Sequence, residues 1–421
     1  MGGVVTSPAP ARTAQEAPAI RTYLLDEGSL DVDSRVNAPM KVLCAFAITF
    51  IVAGHAGVAG QQGGINLAYN LFPPQSFHVG VFLFVAGYFY KSKHETRPWR
   101  YVRGRLLRLI VPLYLLNALW GIWTQIAHGI GFTFGKELSA YNLLLDPLLG
   151  GHAFMWDCPL WFVAPMFFTE MIDFGLRKLF RVGDNRRKEV VLIVLYFAAG
   201  VVTTSLCGPT GFVEESSGVS VLLGRIGYFL PCYAFGRLYR LFLEKHDTAP
   251  NWLYFGVVCG AQIVVMLLTA GTYTYIISWC QFYSGVVAPY LTTAAGIAFW
   301  LRVSRLLAPS LAQSPSLRAV ADGTFSIMAN QFAGFFLIKA LFLLLFYLGL
   351  VQGFDMGAFF SNIFYYWTPP VLDGHPGAAS AFALVYVVAG ILVPLGMHKV
   401  WCIVRDDVCG AYRRRRANKT T

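Results

Sequence analysis

Long apolar runs separated by short basic loops dominate the chain, and ten of them approach the roughly 20 helical residues needed to cross a bilayer. They run from Met40 to Ala59, Phe77 to Tyr90, Arg105 to His128, Pro159 to Phe180 and Glu189 to Leu206. The second half adds Val219 to Leu243, Trp252 to Thr272, Trp279 to Leu301, Phe325 to Leu350 and Ala381 to Trp401. The pattern predicts an all-α integral membrane protein of about ten transmembrane helices, with residues 39–402 as a single membrane domain. Residues 1–38 lack the apolar core of a signal peptide and read as a polar cytoplasmic tail. Residues 403–421 read as a basic cytoplasmic tail. No strong internal repeat is visible.

Composition agrees with that class. The 421 residues are 56% hydrophobic and 13% charged, where a soluble chain carries about a quarter charged residues. Mean hydropathy is +0.55. The net charge of +11 raises the question of nucleic acid, but its distribution gives another answer. With both termini in the cytoplasm, all but three of the 33 Lys and Arg residues fall on inside loops or the adjoining span ends. The exceptions are Lys136 in an outer loop and Arg225 and Lys339 within spans. This is the positive-inside asymmetry, so the basic face meets anionic membrane lipid and needs no nucleic-acid partner. The eight cysteines form no CxxC pair, and neither a metal site nor a disulfide framework is indicated.

Candidate chemistry lies where ionisable residues interrupt apolar runs, because such groups are costly in lipid. His55 is 15 residues beyond Met40, about 22 Å up the first helix, in the outer half of the membrane. His78 enters the second helix from outside at a similar level. A neutral imidazole suits general-base work. Arg103, Arg105 and Arg108 stand at the cytoplasmic start of the third helix, where guanidinium groups can hold phosphates. A ligand using both ends is long, with phosphates at one end and a reactive carbonyl at the other. Acetyl-CoA or another acyl-CoA fits. Arg225, at the depth of the histidines, is a candidate to stabilise an oxyanion or hold an acidic acceptor.

The motifs in this region resemble membrane acyltransferase family 3, in particular its fucose 4-O-acetylase-like, glycan O-acetyltransferase branch. They are IVAGH ending at His55, FHVGVFLFVAGYF from Phe77, RLLR from Arg105 to Arg108 and LIVPLY ending at Tyr114. GHAF at Gly151 to Phe154 and CPLWFVAPMFFTE at Cys158 to Glu170 follow, with TFSIMANQFAGFF from Thr324 as a weaker echo. The resemblance implies acyl transfer from cytoplasmic acyl-CoA to a hydroxyl of an extracytoplasmic or lipid-linked glycan, in a bacterial cytoplasmic membrane. Two positions depart from the family pattern. Cys44 stands where Arg or Lys is usual, with Lys41 about one turn earlier, and Gln331 stands where histidine is frequent. Both departures remove a charge or a base.

Plainer roles compete at each position. His55 could be a hydrogen-bonded core residue, and His78 could orient its neighbour or cap its helix. The arginines could be lipid anchors. Trp161 could stack on a sugar or belong to an interfacial aromatic belt, and His152 could touch the acceptor or be a solvated loop residue. Glu170 and Lys339 would each cost roughly 2.5–3.5 kcal/mol unpaired in lipid, which predicts a structural ion pair between them. Direct transfer and a route through an acyl-enzyme are both compatible with the residues. The rival classes are a transporter or flippase for a glycan or small molecule, and a non-catalytic sensor using the same pocket.

Overall fold

The computed structural model of the protein describes residues 38–57, 71–211, 218–271 and 275–417. The expected N-terminal tail, and the last four residues of the C-terminal one, lie outside them. Every apolar run contains a helix: α1 (Ala38–His55), α2 (His78–Phe89), α3 (Pro98–Gly129), α4 (Val163–Leu179) and α5 (Arg186–Cys207). α6 (Gly218–His246), α7 (Asn251–Leu268), α8 (Ala288–Leu311), α9 (Thr324–Tyr347) and α10 (Pro376–Ala417) complete the set.

Seven of these helices are long and apolar enough to cross a membrane. α2 and α4, with 12 and 17 residues, are too short, and α8 is long enough but not apolar enough. The eighth run also starts later than expected. Residues 275–282 form a small hairpin in which β1 (Tyr275–Ile276) pairs antiparallel with β2 (Gln281–Phe282). Between the strands Cys280 adopts a left-handed backbone (φ 53°), which a continuous helix cannot contain.

α2 is apolar on every side, which marks a helix buried all round, and it packs against α6 and α1. Its backbone touches that of α6 directly. A Cβ at Gly87 would lie 2.1 Å from the Tyr233 carbonyl oxygen, and one at Gly236 would lie 1.9 Å from that of Phe84. Small residues at crossings are how membrane helices approach this closely. α1 is flanked by α2, α8 and α9, and α9 packs along α10. In α3 the hydrogen-bond ladder widens to a π-helix over Leu106–Ile110. Pro112 follows, and it has no N–H to offer the Arg108 carbonyl four residues back.

A buried ionic network ties α2, α4, α5 and α6 together. Arg177 donates from Nε to both Asp173 oxygens at 2.8 Å and from its terminal nitrogens to Glu189 at 2.7 and 2.5 Å. Arg237 reaches Glu189 at 2.9 and 3.1 Å and the Tyr90 carbonyl at 2.9 Å. Tyr196 and Tyr233 donate to Asp173 at 2.8 and 3.0 Å. Two carboxylates meet two guanidinium groups with their lone pairs satisfied, the condition under which buried ions are tolerated.

Candidate active site

His55 is the last residue of α1, and its ring faces α9. Its Nδ1 lies 3.1 Å from Gln331 Oε1, and Gln331 Nε2 donates to the Met328 carbonyl at 3.1 Å. That second bond fixes which end of the amide is which, because only the nitrogen can donate. Oε1 therefore faces the imidazole and accepts from it, so the proton of neutral His55 sits on Nδ1. Nε2 is left as the basic lone pair. Gln331, which looked like the loss of a base, is the group that sets the tautomer of one. Replacing Gln331 by Leu removes the acceptor that holds the proton on Nδ1 and is expected to leave the ring free to take either tautomer, which the imidazole nitrogen shifts of the purified variant would show.

His78 is the first residue of α2. Its Nδ1 accepts from the Val79 backbone N–H at 2.8 Å, so the neutral ring carries its proton on Nε2. It is placed as a donor, whereas His55 is placed as an acceptor.

The loop that carries His152 is shaped by Asp146, which no motif or spacing singles out. Asp146 Oδ2 accepts from the backbone N–H groups of Gly151, His152 and Ala153 at 3.1, 3.2 and 3.1 Å. Gly151 is required there: its φ is +74°, and a Cβ would fall 2.7 Å from Trp161 Cα. His152 is not a solvated loop residue. Its Nε2 lies 3.3 Å from Arg225 and its Nδ1 lies 3.3 Å from Cys158 Sγ. Burial, then the Arg225 charge, hold its pKa well below the ordinary histidine range, so it stays neutral. Burial also pushes the nearby Asp157 carboxyl up to about 7.

Arg225 departs from the expected role. It is 1% exposed, and protein groups occupy all five of its N–H donors. Nε and a terminal nitrogen reach the Ser278 carbonyl at 3.1 and 2.6 Å. The other terminal nitrogen reaches the Gly150 and Leu149 carbonyls at 2.8 and 3.4 Å. It has nothing left for an oxyanion or an acidic acceptor; it pins the β1–β2 hairpin and the His152 loop to α6. Its guanidinium also lies 4.6 Å over the Trp161 ring, so the face that might have stacked on a sugar is covered.

The expected Glu170–Lys339 pair does not form. Glu170, fully buried in α4, faces Arg105 Nε at 3.0 Å. Lys339 instead donates to the Ile363 carbonyl and lies over the Tyr366 ring at 4.7 Å. α4 packs beside the π-helical part of α3, which brings Glu170 to the arginines. Arg103, on the same stretch, is exposed. Lys41 does not take the place of the basic residue missing at Cys44: it pairs with Asp322 at 3.2 Å, near the surface.

The chain is thus a multi-pass, all-α membrane protein with a histidine site framed by α1, α2 and α9 and a buried carboxylate set among arginines. Residues 40–395 match the family model of the acyltransferase domain of acyltransferase family 3. The chain belongs to that family, which places it among the membrane acyltransferases. No curated protein and no solved structure matches it.

Proposed function

We propose that the protein transfers an acyl group from cytoplasmic acyl-CoA to a hydroxyl of an extracytoplasmic or lipid-linked glycan, with His55 as general base. The hydrogen bond between His55 Nδ1 and Gln331 carries this reading, because it leaves Nε2 free of its own proton and able to take one. The acceptor hydroxyl gives its proton to Nε2, and its oxygen attacks the thioester carbonyl carbon. His78, protonated on Nε2, is the donor suited to the developing oxyanion. Collapse of the tetrahedral intermediate breaks the C–S bond, and the His55 imidazolium returns the proton to the departing thiolate. The products are the ester and free coenzyme A.

Arg103, Arg105 and Arg108 are assigned to the phosphates of the donor. Glu170 neutralises only part of their charge, and by holding Arg105 it presets the cluster. The orientation that serves this chemistry has ten membrane-embedded helices, both termini inside and the site in the outer half of a bacterial cytoplasmic membrane. The transporter reading has less support. The buried Asp173, Arg177, Glu189 and Arg237 neutralise one another rather than forming an open relay.

The donor end can be tested by binding. Arg108→Ala is preferable to Arg105→Ala, which would strand the buried Glu170. It is expected to weaken coenzyme A binding roughly tenfold or more, since a charge-assisted contact contributes about 1.5–3 kcal/mol. Unchanged affinity, measured by titration of the purified protein, would make the cluster a lipid anchor.

A further inference from the structure

Two cysteines far apart in the chain meet at the C-terminal end of α5. Cys207 is the last residue of that helix, whose first turn carries Arg186, Arg187 and Lys188. Cys280 stands between the strands of the β1–β2 hairpin, in a left-handed backbone. The hairpin docks on the residues that follow α5. The Phe282 N–H donates to the Gly208 carbonyl at 2.9 Å, and the Gly211 N–H donates to the Cys207 carbonyl at 3.1 Å. The fit is close, because a Cβ at Gly211 would lie 2.4 Å from the Trp279 carbonyl oxygen and 3.0 Å from the Cys280 carbonyl carbon. Inside this contact the two thiols hydrogen-bond to each other. Both are buried, Cys207 at 5% exposure and Cys280 at 0%.

Other buried cysteines meet other partners: Cys158 lies against His152, and Cys232 donates to the Tyr228 carbonyl at 3.4 Å. No CxxC spacing announces the Cys207–Cys280 pair, since α6 and α7 separate the two in the chain and only the fold joins them. With both termini inside, the basic end of α5 faces the cytoplasm. Cys207 and the hairpin then both fall on the outer side, where disulfides form and persist. Arg225 reaches the Ser278 carbonyl, two residues before Cys280, and the Gly150 carbonyl on the same side. The hairpin also touches the candidate site directly, with Trp279 stacked at 4.8 Å from the His152 ring.

We propose that Cys207 and Cys280 are joined by a disulfide in the folded protein, which staples to α5 the hairpin against which His152 packs. This rests on the orientation proposed above and not on acyl transfer. The bond forms by exchange as the hairpin closes, before burial hides the thiols. The thiolate of one cysteine attacks the disulfide of an extracytoplasmic thiol oxidant and expels one of its thiolates. The thiolate of the other cysteine attacks the mixed disulfide and expels the second. Two electrons pass to the oxidant, which leaves as a dithiol with the two protons that the cysteines gave up. The sulfurs move only from hydrogen-bond contact to a bond of about 2.05 Å.

The test is differential alkylation of the full-length protein taken from membranes. Unfolding in denaturant with one maleimide present marks every free thiol, and a maleimide of different mass added after reduction marks those that were bonded. The second label is expected at both Cys207 and Cys280, together with a peptide pair linked through them that reduction separates. Cys207→Ser should move Cys280 to the first label. Reductant should lower the melting temperature of the wild type by several degrees and leave Cys207→Ser unmoved; an equal response in both overturns the stapling role. Lys136→Cys reports the orientation, since the exposed Lys136 lies in an outer loop and its replacement should react with an impermeant maleimide on intact cells. First label at both Cys207 and Cys280 while Lys136→Cys is marked from outside overturns the disulfide and leaves the orientation standing. First label at both with Lys136→Cys protected overturns the orientation and the disulfide together.

Discussion

His55→Gln should abolish acyl transfer while leaving the protein folded and able to bind acyl-CoA. A positioned general base typically contributes roughly 10²–10⁴-fold to rate, and an amide can donate and accept hydrogen bonds but cannot take up the proton. Glutamine is a sharper substitution than alanine because it can keep a polar contact with Gln331 and adds no large cavity at the end of α1. Rates of acylation on variants matched by thermal melt, with donor binding measured alongside, are the check. A near wild-type rate in His55→Gln would return His55 to the role of a core histidine.

The largest effect on stability is expected at Arg177. Its guanidinium bridges Asp173 and Glu189, with both carboxylates buried. Arg177→Met keeps most of the volume but leaves Asp173 without a cationic partner and Glu189 with Arg237 alone. Removing one member of a buried ionic set costs on the order of 3–5 kcal/mol. Arg240→Ala is the control: that pair with Glu244 is half exposed and should contribute no more than about 1 kcal/mol. Melting in one detergent should show a large fall for Arg177→Met and little change for Arg240→Ala. Equal small shifts would mean that the network contributes specificity rather than stability.

These residues also show what the sequence could and could not convey. Each of the ten apolar runs holds a helix, seven of them long and apolar enough to cross a membrane, because lipid and core both demand continuous hydrophobicity and a loop cannot supply it. The same criterion overran the start of α8, since Trp279, Phe282 and Val286 are as apolar as helix residues although Trp279 and Phe282 belong to the hairpin that precedes it. Arg177 and Arg237 fell in with the positive-inside set because charge counting sees the membrane face and not the partner. Their carboxylates lie on other turns or other helices. Glu170 was expected to find Lys339 on grounds of depth alone, whereas the packing of α4 beside the π-helical part of α3 decides in favour of Arg105. His55 and His78 were legible as ionisable residues in apolar runs. Their division into acceptor and donor was not, because it depends on which neighbour each Nδ1 meets. Gln331 and Asp146 matter through hydrogen bonds to residues distant in sequence or to backbone N–H groups, and neither leaves a pattern in spacing.

The central claim is that an acyl group crosses from a cytoplasmic thioester to an acceptor on the other side. Inside-out membrane vesicles from cells producing the protein, with their own glycans sealed in the lumen, allow that to be measured directly. Acyl-CoA labelled in the acyl group is added outside only. The account predicts that label appears in the lumenal or lipid-linked glycan as an alkali-labile ester with the wild-type protein and not with His55→Gln. Label that never leaves coenzyme A with the wild-type protein, or that is transferred equally by both, would contradict it.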